Sequence, residues 1–417
     1  MLTQQEIHRY EKIHGRDIAL RRQYNKILAG ARAKHHIRVK KRMQVKTMKE
    51  EGRIAITFGE VSTTHIGGQE QGKIHSTGFS VSQLRHLETI FREAADKYNT
   101  TNKHLPPVKA EYYDLKAAGV PATKDHEAGV LILRNGANMF IGNVSETQMS
   151  GADRLLYEQY RKVVWDRTSY NAKQDCYTNK RSRFNTVFTG GPRETQNVFG
   201  WFFPNEKMNK AGRVKKRETI REPSTSFGRH TIRGEDKTDA VQVVGKTKDA
   251  AFAAKAQFVL DRSAPGYVEA TRNPFSDLPL LSVIRDNISK YTNKIDPGEQ
   301  KGNALNAEGN WYRKKDTRSQ IGWHGDGERR IVVCLCLGSD SPLYYAWRAP
   351  KESNNQFIKT IVVRHGDIYF MSSKATGSDW LLPTTDYPLG RKGWRLVHAA
   401  GNVDLQPKKK KRKTTKS

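Results

Sequence analysis

The sequence predicts a mixed α+β protein in which a basic, partly helical N-terminal region precedes a strand-rich C-terminal domain. Near the N-terminus apolar residues recur at helical spacing, with Leu84, Leu87 and Phe91 on one stripe. Residues 309–401 instead alternate short apolar runs with turn residues, as in a small β-barrel or sandwich. The chain of 417 residues is long enough for two or three domains, each with its own core.

The first predicted region spans residues 1–120. Residues 1–49 hold 14 Lys and Arg against 3 acidic residues, and their apolar spacing indicates one or two helices. A further helix is predicted over 81–98, and the Pro- and Gly-containing stretch near 118–123 reads as a linker. Binding of phosphates by these basic helices and a merely solvated basic face both remain open.

The second predicted region spans residues 129–401. It opens with a strand-turn-strand pattern, and helices are predicted over 152–165 and 276–291. The polar, basic insertion near 205–250 is poor in aromatic residues and is predicted to be an exposed or mobile loop. Residues 402–417 form a basic tail, and its PKKKKRK run is typical of a nuclear localisation signal or of a phosphate-binding tail.

The formal net charge of +30 is the strongest global signal. Self-repulsion of this size favours a polyanionic partner, because each neutralised phosphate releases counterions. No run of 18 apolar residues predicts a membrane span, and the N-terminus lacks the apolar core of a secretory signal. Cys334 and Cys336 are expected to be reduced thiols. We therefore expect a monomer that is nuclear or otherwise intracellular and not secreted.

The motif His-x-Asp occurs twice. His365-Gly-Asp367 lies between the apolar runs TIVV and IYFM, where Gly-Asp is a turn pair, so we interpret it as a hairpin corner. His324-Gly-Asp326 instead precedes the apolar strand IVVCLCLG. Side chains two residues apart on a strand point to the same side, so this motif can supply two ligands of a two-His, one-carboxylate iron(II) site.

The C-terminal third resembles the AlkB-like dioxygenases, which depend on Fe(II) and 2-oxoglutarate. The resemblance covers about 275–401, more faintly from 129, and its motifs in order are NWYR, IGWHGDGE, IVVCLCLG, PLYYAWR, RHGDIYFM and KATGSDW. It implies a double-stranded β-helix (jelly-roll) domain. It also implies Fe(II), 2-oxoglutarate as co-substrate, and O2.

The resemblance assigns roles to individual residues. His324 and Asp326 match the first two iron ligands, and Asn310 and Tyr312 match a pair that hydrogen-bonds 2-oxoglutarate. The candidates for binding a flipped substrate base are Tyr344, Tyr345, Trp347 and Arg348, together with the pair Arg183 and Asn185. A layer of the barrel core is the alternative interpretation of the aromatic residues.

The sequence departs from the family after Asp379-Trp380, where a second iron-binding histidine is expected and Leu381-Leu382 follows. His398, in the final strand WRLVHAAG, is the favoured third ligand. Asp379 is the next candidate, and a degenerate, inactive site is the third possibility.

The distal carboxylate of 2-oxoglutarate requires a buried cation, preferably an arginine that binds both of its oxygens. The candidates are Arg391, Lys392 and Arg395. Lys392 is closest in register to the family pattern. Arg395 lies three residues before His398, hence on the opposite face of a regular strand, and strand alternation does not decide among the three.

These observations favour a dioxygenase that hydroxylates or oxidatively demethylates a methylated base in nucleic acid, with DNA favoured over RNA and no membrane partner. Two other classes of protein stay open. One is a dioxygenase acting on a protein or a small molecule. The other is a nucleic-acid-binding protein with an inactive oxygenase barrel.

Overall fold

A computed structural model shows a mixed α+β protein built on large antiparallel sheets. It describes isolated residues before 41 and then the ranges 41–63, 69–142, 149–165, 168–171, 176–179, 183–191, 194–200, 218–221, 231–234, 266–313, 320–326, 329–349, 356–377 and 394–401. The predicted nuclear localisation run lies outside these residues. Of the helices described, none is both long and apolar enough to cross a membrane.

Two sheets carry the fold. Nine of the described strands form the large sheet, in the spatial order β4 (Lys109–Asp114), β5 (Gly129–Arg134), β18 (Ile368–Met371), β15 (Val333–Gly338), β1 (Gly52–Gly59), β13 (Asn306–Arg313), β8 (Arg183–Thr189), β12 (Gly266–Pro274), β9 (Glu194–Gly200). Four form the small sheet, in the order β14 (Gln320–His324), β19 (Arg395–Gly401), β16 (Ser341–Arg348), β17 (Gln356–Val363).

The C-terminal strands are divided between the two sheets. Along the chain, β13, β15 and β18 join the large sheet, while β14, β16, β17 and β19 join the small one. The predicted β-rich character of 309–401 is therefore confirmed. Three two-stranded ribbons complete the strands: β2 (Val61–Thr63) with β3 (Gln69–Gln71), β6 (Thr168–Asn171) with β7 (Cys176–Asn179), and β10 (Glu218–Arg221) with β11 (Thr231–Gly234).

Strand β1 places the N-terminal region inside the large sheet. It lies between β13 and β15 and is antiparallel to both, with Arg53 opposite Tyr312 and Gly338. Strand β4 also joins this sheet, and the predicted linker near 118–123 simply connects β4 to its neighbour β5. Strands from the first predicted region, 1–120, and from the second, 129–401, therefore share one sheet, a pairing between distant segments that leaves no local sequence signal.

A layer of helices covers the outer face of the large sheet. The helices are α1 (Val81–Thr101), α2 (Gly136–Ile141), α3 (Gly151–Lys162), α4 (Pro279–Thr292) and α5 (Ser373–Thr376), and residues 41–51 are also helical. The three longest confirm the predicted helices, with shifted ends. Ser80 caps α1 in a capping box with Gln83, and Val163 is already extended, so α3 ends before the predicted residue 165.

The alternation of β1 separates two environments. Ile54, Ile56 and Phe58 are fully or almost fully buried in the apolar core that the large sheet shares with the helices. Arg53 and Thr57 point the other way, into the space between the two sheets. The helical layer and the space between the sheets therefore lie on opposite sides of the large sheet.

Candidate metal centre

Two histidines and an aspartate meet in the small sheet. His324 ends β14, Asp326 follows two residues later, and His398 lies on β19 directly opposite His324. A register shift between Ile321 and His324 produces this pairing. Among the described residues these three form a group whose ligand atoms all lie within 4.8 Å of one another.

Both imidazole rings direct Nε2 towards the carboxylate. Nε2 of His324 lies 3.4 Å from Oδ1 of Asp326, and Nε2 of His398 lies 3.9 Å from Oδ2. The Nδ1–H of His324 donates to the carbonyl of Gly322 at 2.7 Å, which fixes the ring and leaves Nε2 as the ligand atom. The backbone N–H of Asp326 donates to the carbonyl of Thr376 at 2.8 Å, which holds the loop after β14 in place.

The charges at this group suit a cation. Burial, together with neighbouring His324, lowers the pKa of His398 to about 3, so its imidazole is neutral and its lone pair is available. Burial alone would raise the pKa of Asp326. The hydrogen bond from His324 and the electrostatic influence of His398 and Arg329 outweigh that effect and hold the pKa of Asp326 well below its ordinary value. The group therefore offers a cation the neutral imidazole of His398, the imidazole of His324 and one carboxylate.

The group lines a cavity of about 230 Å³ between the two sheets. Besides the three candidate ligands, side chains from both sheets line this cavity. They include Arg53, Thr57, Glu308, Asn310, Tyr312, Ile321, Arg329, Cys336, Leu343, Tyr369 and Met371. Cys336 and its neighbour Cys334 are free, buried thiols, as the sequence predicted. The cavity has room for a small ligand beside the three candidate metal ligands.

The predicted pair Asn310 and Tyr312 lies on the cavity side of β13. The Nδ2 of Asn310 donates to Glu308 at 2.8 Å, and its Oδ1 accepts from Nδ2 of Asn185 at 3.3 Å. Asn185 is fully buried and also donates to the carbonyl of Gly309 at 3.1 Å. Asn185 therefore positions the β13 residues and does not present an open surface to a substrate.

Arg53 is the cationic residue that sequence reasoning missed. Its guanidinium lies 4.2 Å from the centroid of the Tyr312 ring, and its Nη1 donates to Oγ of Ser341. Its Nη2 is buried and has no hydrogen-bond partner in the described part of the chain. A buried guanidinium nitrogen that lines a cavity is available to donate to a ligand in that cavity.

The cations proposed from sequence occupy other places. Arg391 and Lys392, like the alternative ligand Asp379, lie outside the described residues. Arg395 lies opposite Arg348 at the start of β19 and is not among the described residues that line the cavity. The run RIAITFG, with an arginine on the polar face of a strand, is a signal that could have indicated Arg53, but it does not tell which sheet the strand joins.

The proposed base-binding aromatic residues divide by strand face. Trp347 is fully buried, and its Nε1–H donates to the carbonyl of Leu115 at 2.9 Å, so it belongs to the core between the sheets. Tyr345 is also fully buried, with its ring centroid 6.0 Å from that of His398. Tyr344 is half-buried on the other face, 6.3 Å from the ring of Trp323. Arg183 is the first residue of β8 and lies opposite Tyr312 of the neighbouring strand β13.

The second His-x-Asp motif serves the structure. His365 accepts from the Gly338 N–H through Nδ1 at 3.0 Å and contacts Asp153 through Nε2 at 3.1 Å. Asp367 forms a buried ion pair with Arg134 at 2.6 Å. The turn connects β17 of the small sheet to β18 of the large one, so it is a corner between sheets rather than the predicted hairpin.

Comparison with known proteins gives one distant relative and no family. No protein-family model matches the chain. The chain is similar to an uncharacterized protein of Acanthamoeba polyphaga mimivirus, with 25% identity over 342 residues that cover 81% of this chain and 95% of the viral protein. The alignment extends well beyond the C-terminal third, so the two proteins share most of their length.

Proposed function

We propose that this protein is an Fe(II)- and 2-oxoglutarate-dependent dioxygenase that oxidises a methylated base in nucleic acid. The observation that carries the proposal is the convergence of two imidazoles and one carboxylate on a cavity that is also lined by Arg53, whose buried Nη2 has no hydrogen-bond partner among the described residues. The two-His, one-carboxylate set is the ligand set of non-haem iron(II) oxygenases, and it leaves positions for a co-substrate and oxygen.

The ligand set fits iron. His324, Asp326 and His398 would hold the ion, with the carboxylate balancing part of its charge. Bound iron would couple two oxidations. One oxygen atom of O2 would be taken up as 2-oxoglutarate is oxidised to succinate and CO2, and the other would be inserted into a substrate C–H bond. On an N-methyl group the hydroxymethyl product loses formaldehyde, whereas on a carbon-bound methyl group it persists.

Two arginines line the cavity and suit a ligand with two carboxylates. Arg53 offers its free Nη2 beside the hydroxyl-bearing side chains of Tyr312 and Ser341. Arg329 is anchored by Glu308 at 2.8 Å, and its charge acts on Asp326 and His398. We assign the distal carboxylate of 2-oxoglutarate to Arg53. The other end of 2-oxoglutarate, nearest the metal, would lie on the side of the cavity that Arg329 lines.

The jelly-roll architecture expected from the resemblance is part of the proposal. A double-stranded β-helix winds its strands between two sheets, and the strands from β13 to β19 change sheet at each step except between the paired strands β16 and β17. The next strand after β19 would enter the large sheet between β13 and β15. Strand β1 lies in that position, so an N-terminal strand would complete the winding and bring Arg53 to the site.

Nucleic acid is the proposed substrate because of charge. The net charge of +30 favours a polyanion, and the co-substrate requires only the cations inside the cavity. The half-buried Tyr344 and the neighbouring Trp323 lie on the outer face of the small sheet and offer rings for stacking.

Anaerobic titration with Fe(II) and 2-oxoglutarate tests the proposal. We expect a metal-to-ligand charge-transfer absorption in the wild type and in His86→Ala, which removes an exposed histidine of α1. The band should disappear in His324→Ala and His398→Ala. Absence of the band in the wild type would refute the dioxygenase, whereas its full retention in His398→Ala would refute only the third ligand.

Succinate formation tests the substrate class. Methylated oligonucleotides should increase Fe(II)-dependent succinate production above the uncoupled rate, and unmethylated oligonucleotides of the same sequence should not. Binding of nucleic acid without any iron-dependent turnover would instead support the inactive-barrel alternative.

A further inference from the structure

A second open groove lies on the helical side of the protein. Its volume is about 470 Å³, and four of its lining residues are cations: Lys41, Arg154, Arg161 and Lys162. The remaining described lining consists of Glu158, Tyr157 and two apolar side chains. The groove therefore has an excess of positive charge that the dioxygenase reaction does not use.

The groove and the cavity lie on opposite sides of the large sheet. Helix α3, which supplies most of the groove, packs Leu155 and Leu156 into the core against that sheet. Strand β1 presents Ile56 to the same core and Arg53 to the cavity on its other face. A ligand in the groove would therefore occupy a surface separate from the candidate metal centre.

The cations crowd around one aromatic ring. Lys41 Nζ and the Arg161 guanidinium lie 5.9 and 5.3 Å from the centroid of Tyr157. The Arg161 guanidinium also donates to the Tyr157 hydroxyl at 2.8 Å, which fixes its orientation. Two like charges held beside the same ring repel each other, and an anion between them would relieve that repulsion.

The acidic residues nearby offset only part of this positive charge, since Glu158 forms an ion pair with Lys162 at 3.8 Å. The carboxyl of Glu158 is only 7% exposed, and burial raises its pKa against the opposing effect of Leu280 and Lys162. Asp153, one residue before Arg154, is already paired with Lys49 and His365. Nη1 of Arg154 is buried and has no hydrogen-bond partner among the described residues.

We infer that this groove is a second anion site, which binds phosphate groups of a nucleic-acid backbone away from the reacting base. Its openness to solvent and its several separate cations suit successive phosphates better than one compact ligand. The exposed Arg42 and Lys46 continue the positive charge along the helical segment 41–51. The groove would hold a long strand while a more distant nucleotide enters the cavity.

The double variant Arg161→Gln/Lys162→Gln tests the inference, because both side chains are exposed and their loss should leave the fold intact. The matched control is Lys97→Gln/Lys116→Gln, which removes two exposed lysines outside the groove. Binding of metal-free protein to a long, labelled DNA duplex is measured by fluorescence anisotropy over a range of salt concentrations, and thermal unfolding checks the fold.

The groove variant should bind the long duplex roughly tenfold more weakly than the wild type, and its log–log salt slope should fall by about 2. The control should differ little from the wild type. Equal affinity and equal salt slope in the two double variants would overturn the inference. It would also be overturned if the groove variant lost binding to anionic phospholipid vesicles while its DNA binding stayed unchanged.

The iron site supplies an independent readout. The groove variant should retain the charge-transfer absorption with Fe(II) and 2-oxoglutarate, because the groove lies across the sheet from the metal centre. Loss of that band along with loss of DNA binding would indicate general damage and count against a separate site. Failure of the dioxygenase proposal would leave the DNA-binding result unaffected.

Discussion

The guanidinium of Arg53 lies against the ring of Tyr312, 4.2 Å from its centroid, although the two residues are far apart in the sequence. Their strands pair directly, so Arg53 stands opposite Tyr312 in the large sheet. This contact joins an N-terminal cation to the C-terminal pair predicted to bind 2-oxoglutarate. The candidate site is therefore incomplete without Arg53, which the first predicted region supplies.

Arg53→Gln should weaken 2-oxoglutarate binding by about 10- to 100-fold, the equivalent of about 1.5–3 kcal/mol for a hydrogen bond to a charged group. The titration of the charge-transfer absorption with 2-oxoglutarate measures this change at saturating Fe(II). Arg395→Gln is the matched control, because Arg395 was a candidate from sequence but does not line the cavity. The assignment fails if Arg395→Gln weakens binding and Arg53→Gln does not.

Ile56→Ala should destabilise the whole domain by roughly 2–5 kcal/mol, because Ile56 is fully buried in the shared core. Its cross-strand neighbour Leu335 is equally buried, and Leu335→Ala should cost a similar amount. Val362→Ala, at a side chain that is 42% exposed, should change the free energy of unfolding little. Urea denaturation measures all three. A separate early transition in Ile56→Ala alone would show that β1 is not part of the central sheet.

Acidification should destabilise the fold partly through His365. Burial lowers the pKa of His365, so the folded state holds the neutral ring while the unfolded chain titrates near 6.5. The neutral His365 therefore contributes its full stabilisation above pH 6.5, the pKa in the unfolded chain. This contribution is lost as the pH falls from 6.5 towards the lower pKa of the folded state. We expect His365→Gln to lose less stability than wild type between about pH 7.5 and 5.5. Parallel loss in the two proteins would contradict this role.

Trp347→Phe should lower stability by about 1 kcal/mol or more through loss of the hydrogen bond to Leu115, without changing nucleic-acid affinity. Tyr344→Ala should instead lower nucleic-acid affinity and change stability little, since its half-buried ring lies on the outer face of the small sheet. Chemical denaturation and oligonucleotide binding separate the two effects. A drop in nucleic-acid affinity for Trp347→Phe with unchanged stability would favour base stacking over the core position.

The sequence by itself predicted features that depend on neighbouring residues. The spacing of Leu84, Leu87 and Phe91 predicted α1, because a stripe at helical spacing needs a core to cover it. The alternation after residue 309 predicted the strands in the same way. The two His-x-Asp motifs were also separated by local context, since turn chemistry distinguishes His365 from His324.

Only the tertiary structure decided which distant residues meet. The sequence favoured His398 but also allowed Asp379, whereas the pairing of β14 with β19 sets His398 directly opposite His324. It missed Arg53 altogether and separated β1 from the sheet that β1 completes. The physical reason is that an isolated strand has no preference for a particular partner. Its neighbours are selected by burial and hydrogen bonding across the whole sheet, which arise only when the chain closes on itself.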